Sequence, residues 1–249
     1  MSKIDYNTYI MTQKEKTLYI IIAAIAIFIV GYVFYQSFVF SALLTPAALF
    51  YPKIKTKDII KKRKEELNLQ FKEALYSLSS SLTAGKSIEM AFKDALKDIV
   101  ILYPDPDTFI IKEFQYIIRK LEMNETVESA LEDLANRSHA EDIRNFVDVF
   151  KTCKRTGGNL VQVMKNTSDI INDKIVIKQE ISTLLSQRKF EQKVLNLVPI
   201  GMIFLLSTSS ADFMKPIFTQ VSGRVVMTIA IVLLVTAYFI SKKIMDIEV

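Results

Sequence analysis

Three stretches of the chain contain no Asp, Glu, Lys or Arg: Thr17 to Pro52, Val194 to Ala211, and Val225 to Ser241. A charge near the bilayer centre costs about 2.5–3.5 kcal/mol on insertion scales, so charge-free windows of this length predict membrane spans. A spanning helix needs about 17–25 residues. The two C-terminal windows each fit one helix. The first is too long for one helix and short for two. Tyr35, Gln36 and Ser37 lie near its middle, and Thr45 and Pro46 interrupt its second half. It predicts a hairpin of two short spans, 17–34 and 38–52; the alternative is one crossing followed by an interfacial segment.

Between these windows the period changes. Leu67, Phe71, Leu75, Leu78 and Leu82 step by three or four, as do Ile110, Phe114, Ile117, Ile118 and Leu121, and Ile143, Phe146, Val147 and Phe150. This spacing predicts amphipathic helices packed on one another. No run alternates with the period of a strand. Three phrases share one form: "SIEMAF" (87–92), "TVESAL" (126–131) and "NLVQVM" (159–164). Each opens with a capping residue, Ser87, Thr126 or Asn159, and each follows a chain break at Gly85, Asn124 or Gly157–Gly158. Gly or Asn ends a helix in the left-handed conformation, and Ser, Thr or Asn caps the next. The pattern predicts three helical hairpins, 57–100, 106–137 and 140–193, with Asp105 and Pro106 starting the second.

The expected fold is therefore all-α: a polytopic membrane protein with a cytoplasmic bundle of helical hairpins and about four transmembrane helices. Its divisions are a tail and transmembrane hairpin (1–52), the helical bundle (53–193), and two transmembrane helices with a short tail (194–249).

Charge sets the orientation. The 249 residues carry a formal charge of +5. Lys53, Lys55, Lys57, Lys61, Lys62, Arg63 and Lys64 follow the first apolar block, and Lys242 and Lys243 follow the last. The connector "DFMKPIFTQVSG" holds only Asp212 and Lys215, with Arg224 at its boundary. Cations flank the cytoplasmic ends of spans, so the bundle and both termini are expected inside a multi-pass cytoplasmic membrane protein. The Lys53–Lys64 cluster reads as a topology signal that also touches anionic membrane lipid. Nucleic acid is not an expected partner, because no reading module accompanies it. The late apolar start and the absence of a small-residue cleavage site argue against a cleavable signal peptide.

Candidate chemistry is sparse. "KRTGGNLVQVM" (154–164) places two glycines beside two cations. A phosphate-binding loop has the form GxxxxGK[ST] after a strand. Here a helix is expected before the glycines, and no Lys-Ser or Lys-Thr follows. A bare anion site at a helix N-terminus, aided by Lys154 and Arg155, stays open; the corner reading fits better. His139 is the single histidine, so one chain forms no His-based metal cluster. Cys153, also single, reads as a small buried hydrophobe. Asp105 and Asp107 suit capping, and Glu132–Asp133 and Glu141–Asp142 suit solvated faces. The apolar windows hold no ionisable residue, which argues against an ion-coupled transporter. Pro199 is expected to kink its helix, and the hydroxyl run 207–210 to mark the outer membrane boundary. No catalytic, cofactor-binding or metal residue is expected.

"LTAGKSIEMAF" together with "DIRNFVDVFKTCKRTGGNLVQVM" resembles the two halves of the F-domain of type II secretion and type IV pilus inner-membrane platform proteins. The likeness continues through "SQRKFEQKVLNLVPI", and the terminal "KKIMDIEV" resembles the ending of B-type platforms of Tad (Flp pilus) systems. A single F-domain, where type II platforms carry two, favours the Tad branch. The resemblance implies a non-enzymatic platform that couples a cytoplasmic motor ATPase to pilin assembly. Its partners would be the motor, a second platform protein and prepilin, within a homo- or hetero-oligomer. Gly85, Ser87, Gly157, Gly158 and Asn159 would form structural corners, and Lys86, Lys154, Arg155 and Lys165 would be motor contacts. A membrane-anchored scaffold or signalling protein, and an enzyme using the Gly-Gly corner for a nucleotide, are the competing readings.

Overall fold

A computed structural model describes residues 4–245, in which helices follow one another with no strand among the described residues. Lys3 and the "KKIMDIEV" tail from Asp246 onward lie outside the described residues. The chain divides into two compact units, one formed by Met1–Ile10 with Thr56–Ile177 and the other by Met11–Lys55 with Lys178–Val249. Helices α3 (Tyr51–Thr83) and α8 (Leu160–Ser209) contribute to both.

The first unit is a bundle of three hairpins. Helix α3 pairs with α4 (Ile88–Leu102), α5 (Phe109–Glu122) with α6 (Val127–Ser138), and α7 (Glu141–Thr156) with the first part of α8. The apolar stripes turn inward. Leu67, Phe71, Leu75 and Leu78 of α3 meet Phe92, Phe114, Phe146 and Phe150 in one core. Phe71 stands edge-on to Phe146 with ring centroids 5.4 Å apart. Burying such side chains contributes about 1.5–3 kcal/mol each. Polar side chains close what the core leaves open: the buried Gln70 of α3 accepts from Ile110 N at 3.1 Å, capping α5 from across the bundle.

In the second unit the apolar side chains face outward. Helix α1 (Gln13–Tyr35) has 23 residues, about 34 Å at 1.5 Å per residue, against a hydrocarbon core of about 30 Å. Gln36, with φ 43°, turns the chain. The return leg consists of α2 (Phe38–Leu44), a 3-10 helix (Thr45–Phe50) and the start of α3. Pro46 has no N–H and sits in the first turn of the 3-10 segment. The narrower, more stretched coil lets few residues go far: α2 and the 3-10 helix together span about 22 Å. Tyr51 therefore ends up beside Tyr19, with centroids 6.4 Å apart. Gly31 permits the close crossing, since a Cβ there would lie 3.1 Å from Ser41 Cα. The expected hairpin over 17–34 and 38–52 takes this form, with a return leg too short to be a spanning helix alone. Among the described residues, three helices are long and apolar enough to cross a membrane: Gln13–Tyr35, Leu160–Ser209 and Val221–Ser241.

Pro199 lies inside α8 without ending it, and the connector after Ser210 is itself a short helix, α9 (Ala211–Thr219), leading to α10 (Val221–Met245). Met214 and Phe218 of α9 and Met227 of α10 form a small core with Phe34 and Tyr35. The Tyr35 and Thr228 hydroxyls lie 2.7 Å apart, and the Arg224 guanidinium covers the Phe40 ring at 5.0 Å while donating to the Phe218 carbonyl.

Candidate functional site

The three hairpin corners are built alike. Gly85, Asn124 and Gly157 have positive φ of 80°, 62° and 71°. The next residue donates its N–H to the carbonyl five back: Lys86 to Ser81, Glu125 to Lys120, and Gly158 to Cys153. The residue after that caps the following helix. Ser87 Oγ accepts from Met90 N (3.3 Å), Thr126 Oγ1 from Ser129 N (3.2 Å), and Asn159 Oδ1 from Gln162 N (3.1 Å). Each corner thus satisfies orphan carbonyls of one helix and an orphan donor of the next. A Cβ on Gly157 would meet nothing within 4 Å, so its φ alone selects glycine, whereas one on Gly158 would lie 2.8 Å from Cys153 Sγ.

Ion pairs gather these corners at one end of the bundle. Lys93, near the start of α4, meets Glu122 at the end of α5 at 2.8 Å. Lys154, at the end of α7, meets Glu128 at the start of α6 at 2.7 Å. Lys86 pairs with Asp94, while Arg155 and Lys165 are exposed without an ionic partner among the described residues. The corner end therefore carries Lys86, Lys154 and Arg155, with Lys165 one turn further along α8. Beside it an open polar hollow of about 430 Å³ is lined by Lys120, Glu128, Ser129, Glu132, Asp133, Asn136 and Lys151. Its carboxylates are largely engaged, with Glu132 paired to Lys151 and Arg144, and Asp133 to Arg137.

The sequence reading missed the opposite end. The N-terminal segment lies against the bundle, and Tyr6 is fully buried. Its hydroxyl donates to Glu113 Oε1 at 2.9 Å. Arg137 binds both Glu113 oxygens, at 2.8 and 2.6 Å, and also donates to the Ile4 carbonyl at 3.1 Å. Tyr6 N donates to the Arg137 carbonyl, and its ring stands edge-on to Phe109. Burial first, and then the Glu113 charge, push the Tyr6 phenol above the ordinary tyrosine range, so it remains a donor. Burial opposes the Arg137 charge, but bonds to Glu113 and Asp133 outweigh it and raise its pKa. The available signal was Glu113 itself: it lies three residues from Ile110 and four from Ile117, an acid on an apolar stripe.

Cys153 is half-buried beneath Gly158, His139 ends α6 in the left-handed region 3.9 Å from Asp5, and no group of three metal-ligating side chains occurs among the described residues. The Gly-Gly corner joins helix to helix.

A bundle of three like hairpins, continuous with helices able to cross a membrane, defines an all-α membrane protein. The family model described as type II secretion system protein F matches residues 74–208, more than half of the chain, and the chain belongs to that family. No curated protein and no solved structure gives a significant match.

Proposed function

We propose that the chain is the inner-membrane platform of a Tad-type pilus or a related secretion system, coupling a cytoplasmic motor ATPase to pilin assembly. The observation that carries this reading is a single bundle of the secretion protein F family whose three corners gather at one end. The motor would engage that end through Arg155 and Lys165, with Lys86 and Lys154 beside them. ATP hydrolysis resides in the motor. Helix α8, 50 residues long, contributes to both units and would carry movement from bundle to spans. A second platform protein and prepilin complete the assembly.

The docked N-terminus supports a topology in which both termini and the bundle are cytoplasmic. Tyr6 and Thr56 belong to one unit, which supports a hairpin that would leave and return on one side.

Affinity purification of the full chain in detergent tests the reading. The motor ATPase and a second platform protein are expected to co-purify. Arg155→Glu with Lys165→Glu should abolish motor association while leaving the chain folded. Motor association and pilus assembly unchanged in that variant overturn the contact assignment. Recovery of unrelated partners in place of the motor favours a membrane scaffold.

A further inference from the structure

Only some of this protein's cations are paired, and in the bundle Arg155 and Lys165 have no ionic partner among the described residues. In the bundle, Lys86, Lys93, Lys97, Lys112, Lys151 and Lys154 all pair with carboxylates. At the base of the membrane hairpin, Lys14, Lys16, Lys53 and Lys55 find no ionic partner among the described residues. The two legs bring Lys55 beside Tyr19, with Lys16 on the same stretch of α1 and Lys14 and Lys53 flanking them in sequence. Tyr19 of α1 lies beside Tyr51 of the return leg, and Lys55 Nζ stands 5.8 Å from the centre of the Tyr19 ring. Lys16 is one turn before Tyr19, and Lys55 one turn beyond Tyr51. The nearby acid, Glu15, is turned back on the helix start, where it accepts from Thr12 N at 3.0 Å. The result is a cationic rim around a tyrosine pair, at the end of an apolar helix long enough to cross a membrane.

We propose that this rim is a binding surface for anionic phospholipid headgroups. Tyrosines mark the headgroup level of a bilayer, and juxtamembrane lysines are attracted to anionic lipid. Lys14, Lys16, Lys53 and Lys55 supply ammonium donors for the phosphodiester, while the Tyr19 and Tyr51 rings pack against the glycerol and upper acyl region. The lipid provides the anions that the described residues do not supply at these four lysines. This assignment does not depend on the motor or the exported substrate.

The test is competition between phosphatidylglycerol and phosphatidylcholine for retention by the full purified chain, read by native mass spectrometry. Each lysine is expected to contribute about a fivefold preference near physiological salt, so the wild type should retain the anionic lipid at least tenfold more. Replacing Lys14, Lys16, Lys53 and Lys55 together by Gln should remove most of that preference, and replacing all four by Arg should keep it. The control Lys93→Gln with Lys97→Gln should leave it unchanged. Undiminished preference in the four-Gln variant, or equal loss in the control, overturns the proposal. So does displacement of the lipid by millimolar inorganic phosphate, which would mark a free-anion site. Should the four-Gln variant fail to insert, salt decides. The wild-type preference should fall steeply between about 0.05 and 0.5 M salt, and a salt-independent preference overturns the assignment.

Discussion

The bundle unit and the membrane unit use the same large apolar residues in opposite ways. Phe114 and Phe146 are buried in the bundle, whereas Phe204, Leu205 and Leu233 of the membrane unit are more than half exposed. Bundle lysines such as Lys151 and Lys154 are ion-paired, whereas Lys14, Lys16, Lys53 and Lys55 of the hairpin base have no ionic partner among the described residues. The difference reflects the solvent. In water an apolar stripe finds its partner within the chain, whereas in lipid the hydrocarbon tails already match it.

The strongest way to break this comparison is to cut matching holes. Phe146→Ala should cost about 3–5 kcal/mol of bundle stability, while Leu205→Ala should cost under about 1 kcal/mol, both by thermal unfolding of the full chain in detergent. Equal losses would show that α8 is packed on something as tightly as the core is. Next comes the buried N-terminal contact. Arg137→Met leaves Glu113 buried without its cation and should cost about 3–5 kcal/mol. Tyr6→Phe removes only a bond to a charged acceptor and should cost about 1.5–3 kcal/mol, with faster proteolysis of the N-terminal segment as a second readout.

Backbone substitutions give a smaller effect with a change of sign. Gly157 has φ 71°, so Gly157→Ala should destabilise by about 1–2 kcal/mol, while Gly157→Asn, copying Asn124 at the second corner, should be better tolerated. Gly201 lies inside α8 with open space around it, and Gly201→Ala should be neutral or stabilising by up to about 1 kcal/mol. The smallest effect concerns pH. Burial opposes the Glu128 charge, but the Lys154 hydrogen bond, a backbone hydrogen bond and the Lys154 and Lys151 charges together outweigh it and hold the carboxyl below its ordinary value. Glu132 is lowered chiefly by its bond to Lys151. The stability these pairs contribute is present above the ordinary carboxylate pKa and lost as pH falls through the lowered one. The loss should stay under about 1 kcal/mol per pair, and salt should shrink it. It should appear in bundle unfolding and be absent from the retention of α1 and α10 in the membrane.

How much of this was legible depended on distance along the chain. The corners were readable because a helix stop, a cap and an apolar stripe occupy a few consecutive residues, as at Gly157, Asn159 and Met164. The return leg of the hairpin was only half readable. Its charge-free window is plain, but the stretch from Thr45 to Phe50 adopts a narrower, more stretched coil that hydropathy does not report. The docking of Tyr6 was invisible, since it depends on Glu113 and Arg137, far along the chain. The ionic partners of Lys86 and Lys154 were likewise unreadable, because Asp94 and Glu128 reach them only after the hairpins stack.

The contact made by Tyr6 also imposes an order of events during synthesis. The tyrosine is made before its partners: the carboxylate it needs lies 107 positions later, and the guanidinium comes later still. By then the apolar loop between them has already been made. The tail is thus seated only once that loop exists, and seating it ties both ends of the loop, at Ile10 and Thr56, to one folded body.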